Sequence, residues 1–155
     1  TIPRKINPQM GYPDAAGIIV LKLMGKEENP CTGFVFDGEY HLLVLHGLDG
    51  RLDIPKGVCD PGEDTLTAAL RETEEEAGLT DLHFPLGHIN KCFDSLYVYI
   101  ALTEQDVVIK PNPISGITEH LGHEWLDLDT AKNADWSPYL EDAVCWAIQK
   151  VDKRL

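Results

Sequence analysis

The sequence is organised around GVCDPGEDTLTAALRETEEEAGL, the stretch that runs from Gly57 to Leu79. Its first part, Asp60 to Asp64, contains a proline and a glycine and predicts a loop. The periodic part that follows predicts a helix over 65–77. The apolar face of that helix carries Leu66, Ala69, Leu70, Thr73 and Ala77. Gly78 ends the helix naturally, because glycine tolerates the left-handed conformation found at helix C-termini.

A different face of this helix is a stripe of carboxylates. Glu72, Glu75 and Glu76 stand three and four positions apart, so their side chains lie together. Like charges at this spacing destabilise a helix by about 0.2–0.5 kcal/mol per pair, and the dipole disfavours anions near the C-terminus. A divalent cation such as Mg²⁺ or Mn²⁺ prefers oxygen ligands and would convert the repulsion into binding. From the helix alone, a solvated acidic face remains the alternative.

Apolar runs on both sides of this helix predict the strands of a sheet. The candidates, in chain order, are 15–24, 32–36, 41–46, 82–93, 96–102, 107–110 and 124–128. The run at 107–110 is the weakest of them. Strands before and after one helix indicate a mixed sheet.

The chain ends in a second amphipathic helix. Ser137 suits its N-cap and Pro138 suits its first position. Its apolar stripe consists of Leu140, Ala143, Val144, Ala147, Ile148 and Val151. We interpret this stripe as a packing face without a catalytic role. The predicted class is therefore α/β (α+β), with a mixed central sheet covered by helices on two faces.

Length and composition fit one domain over 1–155, with 1–13 as an irregular, proline-containing lead-in. No apolar run approaches the roughly 20 residues of a membrane span, so we expect no membrane partner. The net charge of −13 argues against an extended nucleic-acid surface, although a bound cation would still let the protein hold a phosphorylated ligand. Four dispersed cysteines fit free thiols in the cytoplasm. No feature specifies an oligomeric state.

The pattern from Gly57 onwards reads G-x5-E-x7-R-E-T-x-E-E-x-G-L. It resembles the Nudix box, G-x5-E-x7-R-E-U-x-E-E-x-G-U, in which U is aliphatic. Only Thr73 departs from that pattern, and it lies on the predicted buried face, where its methyl group can pack. The resemblance implies a Nudix-like α-β-α sandwich. It also implies a hydrolase that cleaves a nucleoside diphosphate linked to another group, with Mg²⁺ or Mn²⁺.

The resemblance assigns roles within the box. The positions it places at the metal are Gly57, Glu63, Glu72, Glu75 and Glu76. Glu72 or Glu76 would hold the metal and its attacking water, whereas Glu63 assists metal binding or packs structurally, and Gly57 is a backbone position. Arg71 matches the arginine that orients a glutamate, and its spacing to Glu75 independently predicts an ion pair.

A candidate for the catalytic base or a further metal ligand lies outside the box. Residues 118–126 read TEHLGHEWL and resemble the S-x-E-H-x-x-Y-R-W-L stretch of dinucleoside tetraphosphate hydrolases. In that family the glutamate, here Glu119, is a metal ligand or base. A surface glutamate is the alternative, and Glu124 is a second choice. His120 and His123 are candidates for phosphate contact, although single histidines often have structural roles.

Two residues bear on the substrate. Lys56 precedes the box within Pro-Lys-Gly, as in those hydrolases and in RNA 5′-pyrophosphohydrolases, and is a candidate phosphate contact. Leu52 stands where these families often have tryptophan. Tyr97 lies 18 residues after the end of the box, near a spacing associated with the dinucleoside polyphosphate class, and is a candidate for stacking on a base. A solvated lysine and an ordinary strand tyrosine are the alternatives.

These features together predict a metal-dependent pyrophosphohydrolase with a nucleotide substrate. Dinucleoside polyphosphates such as diadenosine tetraphosphate are the favoured substrates. RNA 5′ ends, nucleoside triphosphates and ADP-ribose are the alternatives within the family. A non-catalytic nucleotide-binding Nudix module is a more distant one, because such modules tend to lose carboxylates of the box and here all are present.

Overall fold

The computed structural model describes residues 14–25, 31–32 and 38–155. The elements in these ranges are β1 (Ala15–Met24), β2 (Glu39–Gly47), β3 (Leu52–Asp53), β4 (Lys56–Val58), α1 (Thr65–Ala77), β5 (Asn90–Phe93), β6 (Leu96–Leu102), β7 (His120–Asp127), α2 (Leu128–Lys132) and α3 (Pro138–Arg154). None of the helices in these ranges could span a membrane. The expected lead-in at 1–13 lies outside the described residues.

Strand β1 is the centre of one mixed sheet. It runs parallel to β6 and antiparallel to β2 and β4. Beyond these, β6 pairs with β5, and β2 pairs with both β3 and β7, all antiparallel. The sheet order β3-β2-β1-β6-β5 is thus extended by β4 beside β1 and by β7 beside β2.

Side chains alternate between the two faces of the sheet, as the period of a strand requires. Along β1, Ile19 and Leu21 belong to a core shared with α3, whereas Ile18 and Val20 belong to a core shared with α1. Strands β2 and β6 divide in the same way. Two cores on opposite faces of one sheet confirm the predicted α-β-α arrangement, a mixed sheet covered by helices.

Helix α1 has the predicted bounds. The Asp64 carboxylate caps its start by accepting a hydrogen bond from the Thr67 amide at 2.7 Å, and Gly78 ends it with φ of 68°. Its buried residues are Ala68, Ala69, Thr73 and Ala77. The prediction that Leu70 belongs to this face is wrong, since Leu70 is 37% exposed.

The buried face of α1 is rotated toward the glutamates. Ala68 is buried on the side of the helix away from Leu70, and the side chain of Glu72 is only 14% exposed. Small side chains let this part of the helix lie close to the sheet. Part of the carboxylate stripe therefore lies at the border of the core instead of on an open surface.

Helix α3 carries the predicted stripe, since Leu140, Ala143, Val144, Ala147, Ile148 and Val151 are all buried. Pro138 is its first residue, as expected. Ser137 has the extended backbone conformation of an N-cap residue, as predicted. Among the described residues, however, its side chain forms no capping hydrogen bond.

Several strand predictions need correction. Within 82–93 only β5 is a strand, apart from one bridge between His83 and Leu102. A turn, in which the Gly87 amide bonds to the Phe84 carbonyl, interrupts the rest. Residues 107–110 form no strand, because the Val108 amide instead donates to the Ala77 carbonyl at the end of α1.

The remaining differences are at short elements. Strand β7 begins at His120, four residues before the predicted 124–128, and pairs with β2 along its length. Strands β3 and β4 and helix α2 are too short to show a periodic pattern in the sequence. The prediction for 32–36 falls almost entirely outside the described residues.

A close approach of β4 to β1 determines where the start of the 57–79 segment meets the sheet. A Cβ atom at Gly17 would lie 2.5 Å from the Pro55 carbonyl oxygen and 2.7 Å from Cβ of Lys56. Glycine therefore allows the backbone of residues 55–57 to pair with β1. This pairing holds Lys56 and Gly57 over α1.

Candidate active site

The carboxylate stripe of α1 meets strand β4 at Gly57. A Cβ atom at this position would overlap the carboxylate of Glu72, so only glycine leaves room for that group. The neighbouring backbone amide of Lys56 donates a 3.0 Å hydrogen bond to Oε2 of Glu76. Strand β4 thus fixes both Glu72 and Glu76.

Arg71 binds three glutamates at once. Its Nε and Nη2 atoms each donate to one oxygen of Glu63 at 2.9 Å, which is the bidentate geometry of a strong ion pair. Its Nη1 atom donates to Glu72 at 2.8 Å and to Glu75 at 3.2 Å. The ion pair with Glu75 that the spacing predicts is therefore present. The glutamates are ordered before any ligand arrives.

Glu63 is fully occupied by these contacts. Besides the two bonds from Arg71, its Oε1 atom accepts the Asp60 amide at 2.9 Å. The hydrogen bonds from Arg71 hold the pKa of Glu63 below its usual range, and the same bonds raise the pKa of Arg71. The geometry of Glu63 fits the structural role left open by the sequence, a brace for Arg71.

Glu76 is a half-buried carboxyl group with too little positive charge around it. Burial raises its pKa to about 9 and outweighs the hydrogen bond from Lys56, while the charges of Asp53 and Glu72 raise it further. Burial also raises the pKa of Glu72. Glu76 therefore carries a proton at neutral pH until another cation takes its place.

Glu119 lies across a small cleft from Glu76, just before β7. Ligand atoms of Glu76, Glu119 and His120 all fall within 4.8 Å of one another. The cleft has a volume of about 10 Å³, which is close to the space that one water molecule needs. It is lined by Glu75, Glu76, Lys110, Asn112, Glu119 and His120. Thus the exposed Glu119 is brought to the stripe from a distant part of the chain.

This donor set fits a hard divalent cation. Glu72, Glu76 and Glu119 offer carboxylate oxygens, the ligands that Mg²⁺ and Mn²⁺ prefer. Arg71 is engaged by Glu63, and the charge of Glu119 adds to the burial that raises the pKa of Glu72. The group therefore has an excess of negative charge that a cation would neutralise.

Lys56 is a fixed cation rather than a solvated one. Its Nζ atom lies 3.1 Å from Oδ1 of Asp53, and its side chain is 25% exposed. Burial would lower the pKa of Lys56, but the charge of Asp53 raises it instead. Burial would likewise raise the pKa of Asp53, but hydrogen bonds from His120 and Lys56 hold it below its usual range. Both groups remain charged.

Two cavities flank Lys56, and Tyr139 lines both of them. One, of about 360 Å³, extends over β4 toward Asp94 and Leu96. The other, of about 200 Å³, extends toward Asp49 and Arg51. Tyr139 stands in the first turn of α3. Its ring is therefore available to a ligand in either cavity.

The other candidates occupy different places. Tyr97 lies half-buried on the α1 face of β6, against the core, and lines neither cavity beside Lys56. Glu124 pairs with His46 at 3.2 Å, away from the acidic group, and His123 is exposed. His120 is buried with Nε2 at 3.1 Å from Asp53.

The sequence reasoning missed Asp53 and Tyr139. The opposite charges of Asp53 and Lys56 at i and i+3 were a usable signal. The hydrogen bond between Asp53 and His120 joins residues 67 positions apart in the chain, so no sequence pattern indicated it. Tyr139 adjoins the packing stripe of α3, which hid its exposed edge.

Comparison with known proteins agrees with this geometry. The family model described as NUDIX domain matches residues 31–147. An asymmetrical bis(5′-nucleosyl)-tetraphosphatase from Rattus norvegicus is 30% identical over 131 residues, which are 76% of this chain and 80% of that protein. The protein of the same description from Caenorhabditis elegans is 32% identical over 90 residues, 54% of this chain and 64% of that protein.

A solved structure supports the fold. A C. elegans Ap4A hydrolase, crystallised as a binary complex, matches 90% of this chain and 99% of its own with a TM-score of 0.65 and 22% identity. This chain belongs to the Nudix family, as its box indicated. It is a hydrolase that acts on pyrophosphate bonds.

Cation binding should release the Glu76 proton. At pH 7 a carboxyl group with a pKa of about 9 is protonated, so we expect about one proton to leave for each Mn²⁺ bound. For the same reason the affinity for Mn²⁺ should rise as the pH approaches 9. Titration calorimetry in two buffers of different ionisation enthalpy measures the released protons.

The control variants separate Glu76 from its neighbours. Glu74→Gln changes an exposed glutamate on the same helix and should release the same number of protons as wild type. Glu76→Gln should bind Mn²⁺ more weakly and with a flat pH dependence. A wild-type protein that releases no proton would contradict the assignment.

Proposed function

We propose that this chain is a divalent-cation-dependent pyrophosphohydrolase of dinucleoside polyphosphates, such as diadenosine tetraphosphate. The observation that carries the proposal is the grouping of Glu76 and Glu119, with Glu72 near enough to interact with the charges of both, next to a fixed Lys56 that has a cavity on each side. We assign the activity to a single Nudix domain over 1–155, and its location to the cytoplasm.

The acidic group is the proposed metal centre. Glu72, Glu76 and Glu119 would hold Mg²⁺ or Mn²⁺, with Glu75 beside them and Gly57 as the backbone position that admits Glu72. When bound, such ions neutralise the phosphates and activate water for attack on phosphorus. Arg71 contributes by orienting the glutamates, because it bonds to Glu72 and Glu75.

The protein groups divide the remaining work. Lys56, held by Asp53, binds a phosphate oxygen and neutralises part of its charge. Glu119 is exposed and stands at the edge of the cleft, where it can accept the proton of the attacking water. Glu76 and Glu72 are more buried and are better suited to hold the ions. Glu63 supports the site through Arg71.

The two cavities favour a substrate with two nucleoside ends. A polyphosphate that spans Lys56 would place one end toward Asp94 and the other toward Arg51, with Tyr139 reaching both. The relatives described as bis(5′-nucleosyl)-tetraphosphatases support the same class. The net charge of −13 disfavours long RNA, although an RNA 5′ end, a nucleoside triphosphate or ADP-ribose would engage the same metal centre.

A nucleotide panel tests the activity. With Mg²⁺ or Mn²⁺, we expect the fastest turnover for diadenosine tetraphosphate, and slower turnover for ATP, ADP-ribose and a 5′-triphosphorylated oligonucleotide. Products are separated by chromatography. Glu76→Gln should lower kcat about 100-fold or more, because it removes a group that acts at the reacting centre. The uncharged amide replaces a group already protonated in the free protein, so folding should be preserved.

Glu74→Gln is the matched control, since it makes the same substitution at an exposed position of the same helix, outside the cleft. It should keep the wild-type kcat. If no diphosphate-linked nucleotide is turned over with either metal, the proposal fails. Faster turnover of ADP-ribose or of the RNA 5′ end would replace the substrate assignment while keeping the metal centre.

Base stacking should depend on Tyr139. Tyr139→Ala should raise KM for diadenosine tetraphosphate about 10-fold, within the roughly 1–3 kcal/mol of one stacked base, whereas Tyr139→Phe should keep the wild-type KM. Tyr97→Leu preserves an apolar side chain and should change KM little. If Tyr97→Leu raises KM and Tyr139→Ala does not, Tyr97 is the stacking residue, as the sequence suggested. Steady-state kinetics with all three variants decide between them.

A further inference from the structure

Asp53 joins two parts of the site that are remote in the chain. Its Oδ1 atom accepts the Ile54 amide at 2.9 Å and lies 3.1 Å from Nζ of Lys56. Its Oδ2 atom lies 3.1 Å from Nε2 of His120. One carboxylate therefore contacts side chains from β4 and from β7.

The backbone of Asp53 is fixed as well. Strand β3 pairs Asp53 with Leu45 of β2, the strand that also pairs with β7. The carboxylate thus projects from the sheet at a set position between the two elements that it connects.

The three side chains in this contact are largely shielded from solvent. The side chains of Asp53, Lys56 and His120 are only 20%, 25% and 6% exposed. A buried ion pair adds little to stability, because desolvation of the charges offsets their attraction. Because an ionised carboxylate only accepts hydrogen bonds, the contact also requires a proton on Nε2 of His120. The contact between Asp53, Lys56 and His120 is therefore better explained by the side-chain positions that it fixes at the site than by a contribution to the free energy of unfolding.

We propose that Asp53 is a positioning residue that holds Lys56 and His120 in one fixed relation across the site. This proposal rests on the proposed function for its kinetic consequences. Lys56 is the phosphate contact, so its release from Asp53 weakens substrate binding. His120 adjoins Glu119, and release of its ring loosens the position of Glu119 at the cleft.

Asp53→Asn tests the proposal because it keeps the shape of the side chain and removes the charge. We expect KM to rise and kcat to fall, each about 10-fold. This is the lower end of the loss of activity, about 10- to 100-fold, that follows when residues orienting metal ligands are replaced. Asp106→Asn is the matched control, since Asp106 also forms an aspartate–lysine ion pair, with Lys22 at 3.2 Å, but it is exposed and lines neither cavity beside Lys56. It should leave both constants at wild-type values.

Double-mutant cycles separate positioning from general damage. In a Lys56→Met background, Asp53→Asn should no longer raise KM. In a His120→Asn background, it should no longer lower kcat. Effects that simply multiply in both backgrounds, or a normal KM and kcat in Asp53→Asn itself, would overturn the proposal.

A readout without substrate keeps this test separate from the proposed function. Nitrogen NMR of the His120 ring should find the Nε2 proton in the wild type and in Asp106→Asn, and a shifted tautomer balance in Asp53→Asn. The Nζ resonance of Lys56 should shift in the same variant. Unchanged His120 and Lys56 signals in Asp53→Asn would refute the positioning role, even if no nucleotide were hydrolysed. If the signals shift but nothing in the panel is turned over, only the proposed function fails.

Discussion

The contact of Arg71 with Glu63, Glu72 and Glu75 is the interaction on which the rest of the site depends. One guanidinium holds three carboxylates on a single helix and its preceding loop, and so offsets the repulsion that would otherwise weaken that helix. It leaves Glu76 unneutralised, against β4. Burial raises the pKa of Glu76 to about 9, so this carboxyl group is protonated at neutral pH. The proton neutralises the carboxylate as a bound cation would. The site of the free protein is thus arranged around the position of a cation that is not yet bound.

Features that depend on local spacing could be read from the sequence. The helix at 65–77, its end at Gly78 and the ion pair between Arg71 and Glu75 follow from helical periodicity alone. Continuous apolar runs made β1, β2 and β6 visible, because each is long and packed on both faces. The family followed from the box, where side-chain type and spacing coincide with one chemistry.

Features that depend on tertiary contact could not be read in this way. The orientation of α1 is set by its close packing on the sheet, which exposes Leu70 and half-buries Glu72. The bond between Asp53 and His120 exists only because β3 and β7 both pair with β2. Likewise, the sequence did not indicate Tyr139, because only the fold brings the first turn of α3 to the cavity that Lys56 and Gly57 line.

The central claim is that Glu72, Glu76 and Glu119 form one cation site. The most direct measurement is the anomalous scattering of Mn²⁺ in crystals of the wild-type protein. The account predicts Mn²⁺ in the cleft beside His120, within bonding distance of carboxylate oxygens from both α1 and Glu119. An ion found only at the other acidic cavity, which is lined by Asp127, Asp129 and Asp152, would contradict it, as would a cleft without an ion at saturating Mn²⁺.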